Sequence, residues 1–428
     1  MRLLSLSQVM NRMREMINSG IDWIRTIPFG WQVMPYKRAF KEIERLPLDD
    51  DEIITCFRDG EVTLRKNRRE DGFTIAEQES GYQHIAKGDL VVHGMDGFAG
   101  SIGISDSDGK ATPVLIVLNP LHDECSKYFM YQLRVYSNLE VFLATATGIR
   151  VRSCSLNWKK LGNLPAIVPP PDEQQRIADY LDERCDAIDE AKRIVEKEIN
   201  SLQRLRKATI FRAVTKGLDI DSNMRDSGIQ WVGKIPFNWE IGRIGGLYKH
   251  RNVKVNDSDY QPLSVTKKGI LPQLETATKS NDHDNRKLVE VGDFVINSRS
   301  DRRGSCGISH FNGSVSLINT VLEPCGLMSP AYYGYLFRTS EFADEFYKCG
   351  HGIVDDLWTT RWQDMKSMKV PCPPIEMQIA IADYLDGHCA AIDSIISTRS
   401  RQLDRLEDYR KAIIYAYVTG KKEVSCGE

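Results

Sequence analysis

Cationic side chains able to grip phosphate or read base edges gather at several places in this 428-residue chain. Arg58, Arg65, Lys66, Asn67, Arg68 and Arg69 fall within twelve residues, and Arg150 and Arg152 lie in a glycine-led loop at 148–153. Later come Lys249, His250, Arg251 and Lys254, then Lys267 and Lys268, then Arg299, Arg302 and Arg303. Phosphate contacts call for Lys or Arg, and base edges in a groove favour Arg, Lys, Asn and Gln. These residues are therefore the candidates for contact with DNA. The competing reading of each run is a solvated surface face. The counterpart of the arginine loop, at 352–357, carries Asp355 and Asp356, which could accept from cytosine or simply cap a turn. Trp158 and Trp362 offer stacking faces, with packing in a core as the alternative.

Catalytic chemistry is harder to find. Asn119-Pro120-Leu121 departs from the Asn/Asp-Pro-Pro-aromatic run that an amino-methyltransferase uses to hold its base. Gly103 to Gly109-Lys110-Ala111 has the wrong gap for a P-loop and lacks its hydroxyl, and the glycines at 97–103 give way to Asp301-Arg302-Arg303 in the matching later segment. Glu190-Ala191-Lys192, with carboxylates upstream, falls on a helical stretch rather than on the strand a nuclease site needs. The eight histidines make no paired spacing, and none of the ten cysteines forms a Cys-x-x-Cys, so no metal site is expected. No catalytic residue is assigned. Scattered thiols suit a reducing, cytoplasmic setting.

A formal net charge of -2 excludes a protein that coats nucleic acid by bulk charge. Hydrophobic residues at 41% and charged residues at 27% describe a folded globular chain, long enough for two or three domains. Residues 1–16 mix charge into their apolar residues, so no secretion signal is read there. No stretch approaches 18 uncharged apolar residues, so none is expected to span a membrane.

The elements that would position the cations are written twice. NSGIDWIRTIPFGW at 18–31 and DSGIQWVGKIPFNW at 226–239 share eight of fourteen residues. IADYLDERCDAID at 177–189 and IADYLDGHCAAID at 381–393 share ten of thirteen. GDLVV at 88–92 matches GDFVI at 292–296, and GSIGIS at 100–105 matches GSCGIS at 304–309, both at an offset of 204. Repeats this long make two similar domains with a pseudo-two-fold relation, not a solenoid. Trp23, Trp31, Trp231 and Trp239 recur in both copies and are read as structural.

Within each copy, apolar runs predict strands at 89–93, 101–105 and 113–118, and again at 293–297, 306–310 and 315–321. Helical stretches follow at 125–144 and 329–347, and proline clusters at 169–171 and 371–374 close each lobe. Beyond the prolines, apolar residues recur in four-three steps. The first stripe is Ile177, Leu181, Ile188, Ala191, Val195, Leu202 and Leu205; the second is Ile381, Leu385, Ile392, Ile395, Leu406, Tyr409, Ile413 and Ala416. Such a helix cannot hide its stripe alone. Two of equal length can hide each other's, with Ile177, Leu181, Ile188, Val195 and Leu202 facing Leu385, Ile392, Leu406 and Ile413 in an antiparallel pair. The alternative is that each packs on its own lobe.

This ordering resembles the specificity subunit of type I restriction-modification enzymes. The resemblance is carried by Ser19-Gly20-Ile21, Trp23, Ile27-Pro28 and Trp31, and by Ser227-Gly228-Ile229, Trp231, Ile235-Pro236 and Trp239. The helix starts carry it too, through Pro170, Pro171, Glu173, Gln174 and Ile177, then Pro373, Pro374, Gln378 and Ile381; Met377 departs from the acid expected before Gln. It implies an α+β chain of two similar globular target recognition domains joined by two long conserved helices in an antiparallel coiled coil, an internal repeat with pseudo-two-fold symmetry. The expected boundaries are an N-terminal segment at 1–17, a first target recognition domain at 18–171, a helix at 172–216, a linker at 217–225, a second target recognition domain at 226–374, a helix at 375–420 and a tail at 421–428. Each domain would read one half of a split site in double-stranded DNA, and the helices would fix the unread gap. The implied partners are two adenine-methyltransferase subunits using S-adenosylmethionine, and restriction/translocase subunits using ATP and Mg. The chain itself would bind no cofactor and perform no catalysis. Alternatives are the specificity partner of a fused methylase-nuclease, a two-lobed scaffold that binds no nucleic acid, and an enzyme with an unrecognised site.

Overall fold

The computed structural model describes residues 14–68, 81–144, 156–273, 285–299, 302–352 and 358–424. The chain divides into two compact units, residues 1–195 with 401–428, and residues 196–400. Both mix helix and strand, as an α+β fold requires.

The first unit contains β1 (Phe40–Glu42), β2 (Ile54–Cys56), β3 (Val62–Leu64), β4 (Leu90–His93), β5 (Ile102–Ile104) and β6 (Leu115–Pro120). The helix α1 (Ser126–Asn138) and the first part of the long helix α2 (Pro171–Lys216) follow. Strands β1, β6, β4 and β5 lie side by side in that order, all antiparallel, and β2–β3 forms a hairpin. Successive strand residues point to opposite faces. Leu90, Val92, Ile116 and Leu118 pack with Tyr128, Phe129, Leu133 and Tyr136 of α1. Val91, Leu115 and Val117 pack on the other face with Ile54, Cys56 and Val62 of the hairpin. Covering both faces is why these strands read as unbroken apolar runs rather than as alternation.

The second unit repeats the plan. It contains β7 (Tyr248–His250), β8 (Leu263–Thr266), β9 (Gly269–Pro272), β10 (Phe294–Asn297), β11 (Cys306–Ile308) and β12 (Asn319–Pro324), with helix α3 (Pro330–Leu336) and most of the long helix α4 (Ile375–Val418). The sheet order is β7, β12, β10, β11, again antiparallel. Phe294, Ile296 and Leu322 meet Tyr333 and Phe337, while Val295 and Val321 meet Leu263 and Ile270 of the β8–β9 hairpin. Burial in these cores pushes the Cys56 and Cys306 thiols up to about 12, so they pack as inert apolar groups. The described cysteines are all free.

Three expectations from sequence shift. The run 315–321 is two strands, Gly313–Ser316 and β12, because the chain turns at Leu317-Ile318. The stretch 125–144 is interrupted after Asn138, where Glu140 takes a positive φ of 58° before a short helix at Val141–Ala144. The stretch 329–347 likewise splits into α3 and a helix at Ser340–Lys348 whose N-cap is Thr339.

Each unit holds parts of both long helices, and in each they run antiparallel. In the first unit Tyr180, Asp189 and Lys192 meet Tyr417, Arg410 and Glu407 at 3.1, 2.9 and 2.8 Å. In the second, Glu198 and Arg206 meet Arg399 and Asp393, both at 2.9 Å. Ile177, Leu181 and Ile188 share one cluster with Ile413, Ile414 and Val418 and with the α1 aromatics. The stripe is therefore hidden by the partner helix and by the lobe together, which joins the two readings separated above. Val195 and Leu385 are also buried, whereas Leu202, Ile392 and Leu406 are half-buried. Leu205, Ile395 and Tyr409 are about half exposed at 54%, 47% and 56%, because a two-helix seam covers only a narrow stripe.

Both helix ends are sealed inside a lobe. The Tyr128 hydroxyl donates to the Val418 carbonyl at 3.0 Å, and the Tyr332 hydroxyl to the Val214 carbonyl at 2.7 Å. Gly217 and Gly420 then turn the chain at φ of 78° and 67°. At Gly420 a Cβ would lie 2.2 Å from Pro28, so only glycine fits.

Replacing Leu385, which is wholly buried, by Ala is expected to cost about 2–5 kcal/mol. Ile395→Ala should stay within about 0.5 kcal/mol. Denaturant unfolding of the intact chain checks both, and equal losses would mean that Ile395 is covered after all.

Candidate nucleic-acid interface

The cations of the first run cluster on and beside the β2–β3 hairpin. Arg58 sits on its turn, 69% exposed at the side chain and 3.1 Å from Asp96. Arg68 reaches Asp59 at 2.6 Å and Glu61 at 2.9 Å, and lies 4.2 Å over the Phe57 ring. Burial works against the Asp59 carboxylate, but the Arg68 bonds and the Glu61 backbone N–H hold its pKa below the usual value. Arg65 donates to Thr55 at 3.3 Å, and Lys66 pairs with Glu52. Acidic neighbours thus interleave this patch, and a ligand phosphate would have to compete with them. Arg69, Arg150, Arg152, Asp355 and Asp356 lie outside the described residues.

Behind the hairpin is a cavity of about 620 Å³ lined by Thr55, Arg58, Arg65, His93 and Ser101. His93 accepts from the backbone N–H groups of Met95 and Asp96 through Nδ1, so Nε2 carries the proton. Burial lowers the His93 pKa and favours the neutral ring. The Ser101 hydroxyl is buried with no partner among the described residues.

In the second unit, Lys267 and Lys268 occupy the turn of the matching β8–β9 hairpin, both exposed. Lys249 stands on β7 opposite Glu323, and Lys254 is exposed on Lys254–Val255 opposite Lys287. Arg299 is exposed beside a backbone bridge to Thr359, and Arg302 is exposed nearby. Arg303 pairs with Asp344 and lies 5.1 Å over Tyr347.

Arg251 differs from the rest. It is held by Asp293 at 2.8 Å, Glu290 at 2.9 Å and Glu323 at 3.5 Å, and its side chain is only 14% exposed. Burial raises the Asp293 carboxyl despite the bond to Arg251. The first unit has the same pair in Arg45 and Asp89. Arg251 therefore secures its lobe through three carboxylates. Trp158 and Trp362 are half-buried against their cores, with Trp362 stacked 5.9 Å from His250.

Two positioning residues escaped the sequence reading. Arg134 on α1 donates to the Gly60 carbonyl at 3.0 Å and to the Ile102 carbonyl at 2.9 Å. Arg338, 204 residues later, donates to the Lys267 carbonyl at 3.3 Å. Each hairpin turn is thus tied by an arginine at the same place in the repeat. Burial, and the charge of Arg410, lower the Arg134 pKa. At Gly60, where φ is 90°, a Cβ would collide with the Arg134 guanidinium. The shared offset was the available signal.

Among the described residues no group of three or more His, Cys, Asp or Glu is arranged to hold a metal, and no helix is long and apolar enough to cross a membrane.

No protein-family model matches the chain. It is 26% identical over 324 residues to a chain of Methanocaldococcus jannaschii provisionally named the MjaX type I restriction enzyme specificity subunit, across 72% of this chain and 71% of that one. It is 22% identical over 321 residues to the MjaVIII specificity subunit of the same organism, across 69% and 70%. Among solved structures, a chain from a study of complex assembly and conformational transition in a type I R-M system matches with a TM-score of 0.68 and 14% identity, over 92% of this chain and 99% of that one. The HsdS subunit from Thermoanaerobacter tengcongensis matches with a TM-score of 0.51 and 15% identity, over 92% and 98%. The two solved chains share the fold of this one.

Removing Arg251 would strand the Asp293 carboxylate, which is 2% exposed. Arg251→Ala is expected to destabilise the second unit by about 3 kcal/mol. Exposed Lys254→Ala should change stability by less than about 0.5 kcal/mol. Urea titration of both variants distinguishes a structural arginine from a surface cation.

Proposed function

We infer that this chain is the DNA sequence-specificity subunit of a type I restriction-modification system, a recognition subunit rather than an enzyme. The observation that carries the reading is the repeated reader. Each unit presents a hairpin packed on the same sheet and tied by an arginine at the same repeat position. The turns nevertheless carry different residues, Arg58-Asp59 in one and Lys267-Lys268 in the other. Equal scaffolds with unlike tips are what two unlike half-sites call for. Likeness to the Methanocaldococcus jannaschii specificity subunits across about 70% of the chain supports it.

In this reading the first lobe meets DNA through Arg58, Arg65, Lys66 and Arg68, joined by Arg69, Arg150 and Arg152. The second uses Lys249, Lys254, Lys267, Lys268, Arg299, Arg302 and Arg303. The long helices belong to both units and set the number of unread base pairs between the half-sites. Half-sites about 34 Å apart would present the same groove face. The chain works in the cytoplasm with methyltransferase and restriction subunits. Two methyltransferases, one for each repeat, modify adenine with S-adenosylmethionine, and the restriction subunits use ATP and Mg. This chain supplies addresses and holds no cofactor.

Exchanging residues 32–165 for those of a subunit with another target should change one half-site and leave the other unchanged. Selection of bound duplexes from a random pool reads this out, and a change in both halves or in neither would overturn modular reading. Arg58→Ala should relax base preference in the first half-site alone, at about 1–3 kcal/mol of discrimination. Binding should be weak for the chain alone and tight with its methyltransferase, falling steeply as salt is raised.

A further inference from the structure

We propose that the second unit seats a backbone phosphate of duplex DNA in the cavity between the β8–β9 turn and the long helix α2. The proposal rests on the DNA-reading function above and adds a binding site to it. The cavity measures about 410 Å³, and cations reach it from three separate elements. Lys267 comes from the hairpin turn, Arg338 follows the end of α3, and Arg206 and Lys207 come from α2.

The local carboxylates answer only some of this charge. Asp393 takes Arg206 at 2.9 Å, and Asp344 takes Arg303 at the cavity wall. Glu341, also on the wall, accepts from the Ser340 hydroxyl at 3.1 Å. The Lys207 and Lys267 ammonium groups have no partner among the described residues, and among those residues the Arg338 guanidinium bonds only the Lys267 carbonyl. Three exposed cations converge on a wall where Glu341 is the one carboxylate not already paired with an arginine, so they repel one another, and an anion between them relieves that repulsion.

The phosphate is assigned to duplex DNA because of what adjoins the cavity. Lys267 is followed on the same turn by Lys268, which is exposed and which the function above makes a DNA contact. A phosphate contact beside a base-reading tip fixes its register without adding sequence information. The first unit has Arg410, Lys411 and Arg134 at the matching positions, 204 residues away. There Arg134 is half-buried and spends its guanidinium on both the Gly60 and Ile102 carbonyls, whereas Arg338 is exposed and bonds one carbonyl, so the seat is assigned to the second unit alone.

The test measures binding of the full chain to its selected duplex over a series of salt concentrations, using Lys207→Ala and Lys267→Ala. Each variant should lower the slope of log affinity against log salt by about 0.9, weakening every sequence evenly. With Lys207→Ala, base preference at both half-sites should be unchanged. An unaltered slope in both variants, with the wild type still selective, overturns the seat and leaves the DNA-reading function standing. A changed base preference with Lys207→Ala also overturns it, because the contact would then be to a base. Saturable binding of ATP or inorganic phosphate that Lys207→Ala abolishes would make this a small-anion site and overturn the proposal. A wild-type chain with no sequence preference, alone or with its methyltransferase, defeats the underlying function and the seat together.

Discussion

A long helix ends in carbonyl groups that no later turn can satisfy, and in this chain those ends are buried. The arrangement depends on how that requirement is met. Tyr128 and Tyr332, both fully buried, each place a hydroxyl on a carbonyl in the last turn of a long helix. An unmet buried carbonyl would cost roughly 1–3 kcal/mol, and the surrounding aromatic core offers it no water. Tryptophans of the two opening motifs, Trp31 and Trp239, pack beside the glycines that follow. The motif that announces each repeat is therefore the socket into which a long helix terminates.

The same sockets explain the division of labour in the helices. Near the sockets, residues such as Leu181, Leu385 and Val418 are wholly buried. Farther along, helix meets helix with ion pairs flanking a narrower seam, and Leu202 and Ile392 are only half-covered. Exposed ion pairs contribute little stability, so they serve mainly to fix the alignment of the pair.

Much of this was legible in the sequence because it depends on local pattern. The repeated motifs, apolar runs and four-three stripe predicted three of the four strands in each sheet, the long helices and their antiparallel pairing. What escaped was set by tertiary geometry. Periodicity put Leu205, Ile395 and Tyr409 on the apolar stripe, but it cannot tell how wide a strip the neighbour covers. The basic cluster at 249–254 gave no sign that Arg251 pairs with Asp293, although Asp293 sits inside a strand motif that recurs with Arg45 and Asp89. The basic clusters of the two copies looked unrelated because one hairpin connects its strands through five residues and the other through two. Their common place emerges only once both are seen to hang from Arg134 and Arg338.

The division of the chain between the units also has a temporal side. The second unit is one unbroken stretch, residues 196–400, whereas the first combines residues 1–195 with 401–428. Ile413, Ile414 and Val418 fill part of the first unit's core. On a ribosome, the lobe nearer the N-terminus emerges early with an aromatic socket standing open, and it must wait through the synthesis of its sibling for the segment that plugs it. The lobe translated first is the lobe finished last.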